Sequence, residues 1–311
     1  MIMHRGEQAL AIRALKNAAP YIRMYKGKTF VVKAGGGVFG EIEATRVLIE
    51  QIAILHYFGV RVVMVHGGGP QLTELSEALG VPTRMVEGRR VTDQKSIDVT
   101  AMVLNGLINT RILGICRDLN IDAVGISGVD AGLVRAHKRA PMQIAGETVD
   151  FGFVGDIDGI DTTVIRKLLD NGLMPVISPL SADETGTLLN INADTVAAAI
   201  GAALGAEKLI LCTGAPGILE RLDDPGSLIS YTDLRGLKRL REEGRIVDGM
   251  LPKAKAIESA IRGGVRRVHV VSYKATEGIL GEVFTNEGTG TLIVADINAL
   301  TPAEQQTTGG T

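Results

Sequence analysis

The sequence predicts an α/β fold: an open, mainly parallel sheet with helices packed on both faces. Three observations carry this. Short apolar runs alternate with longer amphipathic runs along most of the 311 residues. The apolar run "VRVVMVH" (60–66) does not alternate with polar residues, as expected of a strand covered on both faces. Two such runs pass directly into glycine-rich turns, "TFVVKAGGG" and "VRVVMVHGGG". Ligands of open α/β sheets bind at that edge.

The elements follow in order. Residues 6–25 read as a helix with Ala9, Leu10, Ile12, Leu15 and Ala18 at helical spacing, and Pro20 interrupts the pattern. The strand "TFVVK" runs into the first glycine turn, and "EATRVLIEQIAILHYFG" is an amphipathic helix ending at Gly59. After "VRVVMVH", "QLTELSEALG" is helical with Leu72, Leu75 and Leu79 on one face. Residues 94–119 form a long helix with Ile97, Ala101, Leu104, Ile108, Ile112 and Ile115 on its stripe. "IDAVGIS" is a strand, and the polar, glycine-spaced stretch 129–163 reads as hairpins. The helix "VIRKLLDNG", the strand "LMPVISPL", the helix "NADTVAAAIGAALG" and the strand "EKLILCT" come next. "KAKAIESAIRGG" is helical, "VRRVHVVS" and "GTLIV" are strands, and the tail "NALTPAEQQTTGGT" is expected to be disordered. No repeat of fixed period stands out.

Composition narrows the function. The net charge of −2 and the pI near 6.2 leave no basic footprint for nucleic acid. No run of about 18 apolar residues predicts a membrane span, and "MIMHRGEQAL" lacks a signal-peptide core. Cys116 and Cys212 sit in apolar periodic segments, without metal spacing, and read as buried hydrophobes of a reduced, cytoplasmic protein. His4, His66, His137 and His269 have no spacing for a metal and read as structural.

The glycine turns suggest phosphate. Gly35, Gly37 and Gly40 formally fit the G-x-G-x-x-G of a dinucleotide fold, but the second strand ends in His66 and more glycine where a ribose-binding carboxylate should stand. The P-loop pattern is absent. Instead, two adjacent parallel strands would bring both turns to one edge. There the amides of Gly35, Gly36, Gly68 and Gly69 could converge on an anion, helped by the helix starting at Pro70.

Charges stand in telling places. Lys33 ends an apolar strand just before the first turn. Lys253 lies in the first turn of a helix, where the macrodipole disfavours a cation by about 0.3–1 kcal/mol. A bound anion would reverse that penalty. Lys255 faces elsewhere and reads as solvated. Asp194, in the first turn of another helix, either caps it or holds the two lysines. Two lysines, two amide cradles and an aspartate suit phosphoryl transfer, which needs positioning and charge neutralisation more than covalent help. A carboxylate acceptor, already ionised at neutral pH, needs no general base. One of Arg89 and Arg90, in "EGRRVTD", could hold a substrate carboxylate.

Those residues resemble the amino acid kinase family, and within it the branch that phosphorylates N-acetylglutamate. The family's "K-x-G-G" stands as Lys33–Gly36, "VHGGGPQ" stands unchanged at 65–71, and "GLRVTD" appears as "GRRVTD" at 88–93. "MVLNGLINTRI", "AVGISGVDAGLVRA", "FGFVGDI", "LLNINADTVA" and "GMLPK" follow in the family's order over roughly residues 15 to 295. The resemblance implies an αβα sandwich with an N-terminal helical arm. It implies an arm at 1–25, an acceptor lobe at 26–180, an ATP lobe at 181–297 and a flexible tail at 298–311. Lys33 and Lys253 would stabilise the phosphoryl group and Asp194 would orient both. Gly36, Gly68 and Gly69 would donate amides, and Arg90 and Asn190 would bind the α-carboxylate. ATP would bring Mg2+ on its phosphates.

The arm "APYIRMYKGKTFVVK" and the segment "GEVFTNEGTGTLI" resemble the hexameric, arginine-inhibited members, implying an effector site at Tyr21, Glu282 and Gly288. Departures from the family pattern are Gly37 in place of Asn or Ser, Val129 for lysine, Gly214 for aspartate near the nucleotide, and Glu277 for the histidine of the arginine-sensitive members. Two other readings compete. A kinase for carrier-linked aminoadipate or glutamate would want a basic docking patch that the acceptor loop lacks. A non-catalytic arginine sensor need not keep Lys33, Asp194 and Lys253 together.

Overall fold

From the N-terminus the chain forms α1 (Arg5–Tyr25), β1 (Thr29–Ala34), α2 (Ile42–Tyr57), β2 (Arg61–His66) and α3 (Gly69–Ala78). The short pair β3 (Arg84–Val86) and β4 (Arg89–Val91) precedes α4 (Gln94–Ala101), a π-helical segment (Met102–Ile108) and α5 (Asn109–Asp118). Then come β5 (Ala123–Ser127), β6 (Val134–Lys138), the pair β7 (Met142–Ile144) and β8 (Glu147–Val149), β9 (Gly155–Ile160) and α6 (Thr163–Asp170). β10 (Met174–Ser178), β11 (Leu180–Ala182), β12 (Leu188–Asn190), α7 (Ala193–Leu204) and β13 (Lys208–Thr213) follow. The chain closes with β14 (Tyr231–Asp233), α8 (Leu234–Glu242), α9 (Met250–Arg262), β15 (Arg267–Ser272), α10 (Gly278–Phe284) and β16 (Thr291–Val294). This structure, a computed structural model, describes residues 5–299 except 87, 88, 145, 222, 225, 248, 286 and 287. The predicted tail, apart from its first residues, and His4 lie outside them.

One sheet of eight strands, in the order β14-β16-β15-β13-β1-β2-β10-β5, organises the fold. Six neighbouring strands are parallel, and β16 runs antiparallel to β15. Alternate strand residues feed two cores. Val31, Val63, Val65, Leu209 and Leu211 face α6, α7 and α9, whereas Phe30, Val32, Met64, Ile210 and Cys212 face α2, α5 and α10. Every one of these residues is apolar because each face is covered. A second sheet, β12-β11-β6-β9, continues from the end of β10. The 129–163 hairpins of the sequence reading are here: β6 pairs antiparallel with β9, and β7 with β8.

The structure departs from the sequence reading in several places. The helix α1 runs through Pro20 without ending, and its apolar stripe lies outward, with Leu10, Ile12 and Leu15 all exposed. The long helix of 94–119 is continuous, but its middle is π-helical. It buries Ile97, Leu104, Ile108 and Ile112 as expected. By length and mean hydropathy (1.4) the stretch Gln94–Asp118 could cross a membrane, a candidate the sequence reading did not flag. Its stripe is instead core, packed with Met64, Met174 and Val176 of the sheet.

His66 is a core residue. Its Nε2 accepts from Asn109 Nδ2 at 3.1 Å, and the same amide donates to the Val176 carbonyl, linking β2, α5 and β10. Burial pushes its pKa down to about 4, so the ring is neutral at pH 7. Cys116 and Cys212 are buried free thiols, pushed up to about 12 by burial.

Candidate active site

β1 lies between β2 and β13, with Lys33 opposite Val65 and Leu211. The turns that follow β1 and β2 therefore leave the same edge side by side. They touch backbone to backbone: a Cβ on Gly36 would lie 2.8 Å from the Gly69 nitrogen and 2.9 Å from Gly68 Cα. Gln71 Nε2 donates to the Gly36 carbonyl at 2.9 Å and fastens the first turn to α3. Gly68 is backed by the π-helical segment, where a Cβ would meet Ile108 Cδ1 at 2.5 Å and Leu104 Cδ2 at 2.8 Å. Only glycine fits this double approach. Neither α3 nor α9 has a side-chain cap at its N-terminus, leaving amide N–H groups there for an anion.

Asp194 is the hub. Its Oδ1 receives Lys33 Nζ at 2.9 Å. Lys253 Nζ reaches Oδ1 at 3.0 Å and Oδ2 at 2.9 Å. The three residues are 7%, 6% and 7% exposed for Lys33, Asp194 and Lys253. Capping of α7 falls to Asn192, whose Oδ1 accepts from the Asp194 and Thr195 amides, so the Asp194 carboxylate is left for the lysines. Burial pushes that carboxyl up, but the two ammonium groups together outweigh it and hold the pKa at about 2. Burial, then the like charge of Lys33, pushes Lys253 below the usual lysine range despite its bonds to Asp194. Charge-assisted hydrogen bonds of about 1.5–3 kcal/mol exceed the helix-dipole penalty of about 0.3–1 kcal/mol. Two cations against one carboxylate leave a buried surplus of positive charge beside the glycine turns. That surplus calls for an anionic ligand.

A cleft of about 330 Å³ opens on this centre, lined by Lys33, Gly36, Gly68, Gly69, Arg90 and Asn190 among others. Arg90 is half-buried and bonded to neutral oxygens: Nη1 donates to Thr83 Oγ1 at 2.8 Å and Nη2 to Thr73 Oγ1 at 2.7 Å. Among the described residues it has no carboxylate partner, so its charge is available to the cleft. Asn190 sits on β12, its Nδ2 3.4 Å from Thr92 Oγ1. Gly35 is not among the residues lining the cleft, and, contrary to the expectation from the sequence, its amide is not free for an anion: it donates to the Cys212 carbonyl at 3.3 Å, tying the first turn to β13. Lys255, read as solvated, is exposed but lines the cleft.

Arg89 and Arg139 also line the cleft. Arg139 escaped the sequence reading because its hairpin shows no clean period. Its guanidinium grips Asp156, with Nε at 3.1 Å from both carboxylate oxygens and Nη2 at 2.6 Å from Oδ1. The alternation in "VRAHKR" was the one available signal.

Residues 28–272 match the sequence profile of the amino acid kinase family. The chain belongs to that family. This amino acid kinase is 46% identical over 296 residues to the acetylglutamate kinase of Myxococcus xanthus, an alignment covering 93% of this chain and 96% of that protein. It is 41% identical over 285 residues to the acetylglutamate kinase of Archaeoglobus fulgidus, covering 91% and 98%. Among solved structures, the N-acetylglutamate synthase of Neisseria gonorrhoeae complexed with coenzyme A and L-arginine superposes with a TM-score of 0.80 at 27% identity, over 92% of this chain and 65% of that one. This kinase thus spans less than two thirds of the synthase. Carbamate kinase from Giardia lamblia bound to AMP-PNP, at a TM-score of 0.62 and 16% identity over 87% of this chain and 99% of that one, shares the fold.

The residues that the resemblance assigns to an effector lie in a different part of this kinase. Glu282 is buried, and its carboxylate accepts from His269 Nδ1 at 2.7 Å and from the amides of Thr289 (2.6 Å) and Gly290 (2.9 Å). Burial pushes Glu282 up, but these donors hold it at about 2. Lys208 Nζ lies 3.0 Å from His269 Nε2 and 5.1 Å from the centroid of the Tyr25 ring. Burial, then Arg267, pushes Lys208 down to about 7. Gly288 has a left-handed backbone (φ 63°) next to Glu282, and Tyr21 packs into the same core as Phe30 and Val283. Glu277 is exposed. The histidine beside Glu282 comes from β15.

Proposed function

We propose that this protein transfers the γ-phosphoryl group of ATP to the γ-carboxylate of N-acetyl-L-glutamate, a step of arginine biosynthesis. The observation that carries the reading is the buried Lys33–Asp194–Lys253 cluster beside two interlocked glycine turns. A carboxylate oxygen of the acceptor bonds to phosphorus, the bond from phosphorus to the bridging oxygen breaks, and ADP leaves with N-acetylglutamyl 5-phosphate. Lys33 and Lys253 neutralise charge on the transferring group. Asp194 fixes both ammonium groups. The amides of Gly36, Gly68 and Gly69 hold the two reacting anions in line. Arg90, with Asn190, takes the α-carboxylate. Among the described residues, those lining the cleft offer amides, ammonium and guanidinium groups and include no Asp or Glu. That donor set fits phosphate oxygens, so Mg2+ enters on ATP and screens its charge.

The acceptor lobe is assigned to 26–180, the ATP lobe to 181–297 and the oligomerisation arm to 1–25. The outward Leu10, Ile12 and Leu15 of α1 support a dimer-linking role in a hexamer. The buried acid Glu282, with Gly288 and Tyr21, is the basis for L-arginine as effector. The buried free thiols suit a cytoplasmic setting.

An ADP-release assay offering N-acetylglutamate, glutamate and aspartate tests the activity. Turnover with N-acetylglutamate above the other two is expected. Nucleotide binding without turnover on any of them sinks the reading. Gly36→Ala would push the two turns apart and is expected to lower kcat/KM by about 100-fold, the scale of an ångström-sized misplacement. Steady-state kinetics beside a melting curve checks this. A variant with wild-type kcat/KM would show that the turns do not cradle the reactants.

A further inference from the structure

Two of the glycines at which this chain departs from its family's pattern face one side chain. A Cβ on Gly37 would lie 2.7 Å from the Tyr273 hydroxyl oxygen and 3.4 Å from its Cζ. A Cβ on Gly214 would lie 3.4 Å from the same oxygen and 3.7 Å from Cζ. Neither glycine has a left-handed backbone, so the main chain does not demand glycine at either position. The end of the tyrosine ring takes the room instead.

The placement is built into the sheet. Gly37 follows β1, Gly214 directly follows β13 and Tyr273 directly follows β15, and these three strands are neighbours. The Tyr273 amide donates to the Thr213 carbonyl at 2.9 Å, which fixes the start of its side chain. The ring is half-buried against the core shared with Phe30 and Val271. Its hydroxyl makes no hydrogen bond to the described residues. The three successive glycines of the first turn thus face three different groups: Gly35 the Lys33 ammonium, Gly36 the second turn, and Gly37 the phenol.

We infer that the Tyr273 hydroxyl is a nucleotide-binding group, donating a hydrogen bond to the polyphosphate of ATP at the edge of the phosphoryl-transfer site. This rests on the kinase reading above. A phenol donates to a phosphate oxygen without adding charge. The side chains that the resemblance leads one to expect at positions 37 and 214 are polar. Here both are reduced to hydrogen, and one hydroxyl from a third strand stands over the gap.

Calorimetric titration of Mg·ATP into the protein without acceptor tests this. Tyr273→Phe keeps the ring and removes only the hydroxyl. It is expected to weaken Mg·ATP binding about tenfold, to leave the KM for N-acetylglutamate within about twofold, and to leave the melting temperature unchanged. Gly37→Ala pushes on the hydroxyl and is expected to weaken Mg·ATP binding in the wild-type background. In the Tyr273→Phe background it is expected to add little, because the atom it meets is gone. Wild-type Mg·ATP affinity in Tyr273→Phe overturns the inference, as does an equal penalty from Gly37→Ala in both backgrounds. If the unmodified protein binds Mg·ATP and turns over while those results are negative, only this inference fails. If it binds no nucleotide, the kinase reading fails first.

Discussion

Asp194→Asn is expected to cost this protein both its turnover and part of its stability. The substitution leaves Lys33 and Lys253 buried beside a neutral amide, with no carboxylate between them. Removing one partner from a buried ion pair costs about 3–5 kcal/mol. At roughly 2–4 °C per kcal/mol for domains of about 150–250 residues, the melting temperature should fall by roughly 6–20 °C, toward the lower end for this longer chain. The lysines can relieve the strain by releasing a proton, but that abolishes the charge on which the proposed transfer depends. A fall in kcat of about 1,000-fold follows, at the upper end of what removing one preorganised transition-state donor costs. The pH dependence gives the sign. The Asp194 carboxyl lies at about 2 when folded against 3.8 for an ordinary aspartate, so its stabilisation is fully present above 3.8 and is lost as pH falls toward 2. The asparagine variant has no such stabilisation to lose. The gap in melting temperature between wild type and variant should therefore narrow below pH 3.8. A gap that stays constant across that window would rule out the carboxylate as its source.

Lys253→Ala is the contrasting case. It removes a cation from a cluster that has one to spare, and the Lys33–Asp194 pair at 2.9 Å remains charge-balanced. We expect kcat to fall by about 100- to 1,000-fold, with a melting temperature within a few degrees of wild type. Single-turnover kinetics beside calorimetry separates the two effects. Unchanged turnover would remove Lys253 from the site. A collapse in stability as large as that of Asp194→Asn would mean that Lys253 serves the fold first.

The parts of this molecule legible in the sequence are those whose local chemistry is their structural role. β1 and β2 are apolar on both faces because both faces are covered, so they read as buried strands. The glycine turns and Lys33 read as an anion site because glycine and a strand-end lysine have few other uses there. Asp194 was ambiguous for a local reason: a carboxylate in a first turn caps helices, and only the neighbouring Asn192 decides that it need not. What stayed hidden depends on distant partners. The π-helical turn at Met102–Ile108 carries the same apolar spacing as an α-helix. The exposed stripe of α1 carries the same periodicity as a buried one. Arg139 is fixed by its bond to Asp156 across a hairpin. The meaning of Gly37 and Gly214 lies in Tyr273, which no spacing along the chain connects to them.

The central position of β1 sets a condition on how the molecule comes into being. Its register against β2 joins Lys33 to Val65, close by in the chain, but its other flank must wait for Leu211. The charge hub waits longer still, for Lys253. During synthesis the emerging N-terminal half therefore exposes one edge of its innermost strand, with a lysine facing no counter-ion. Non-local pairing of this kind forms more slowly than local contacts. The candidate site is thus complete only when distant parts of the chain have met, and a nucleotide binding there would favour the finished chain over its unclosed precursor.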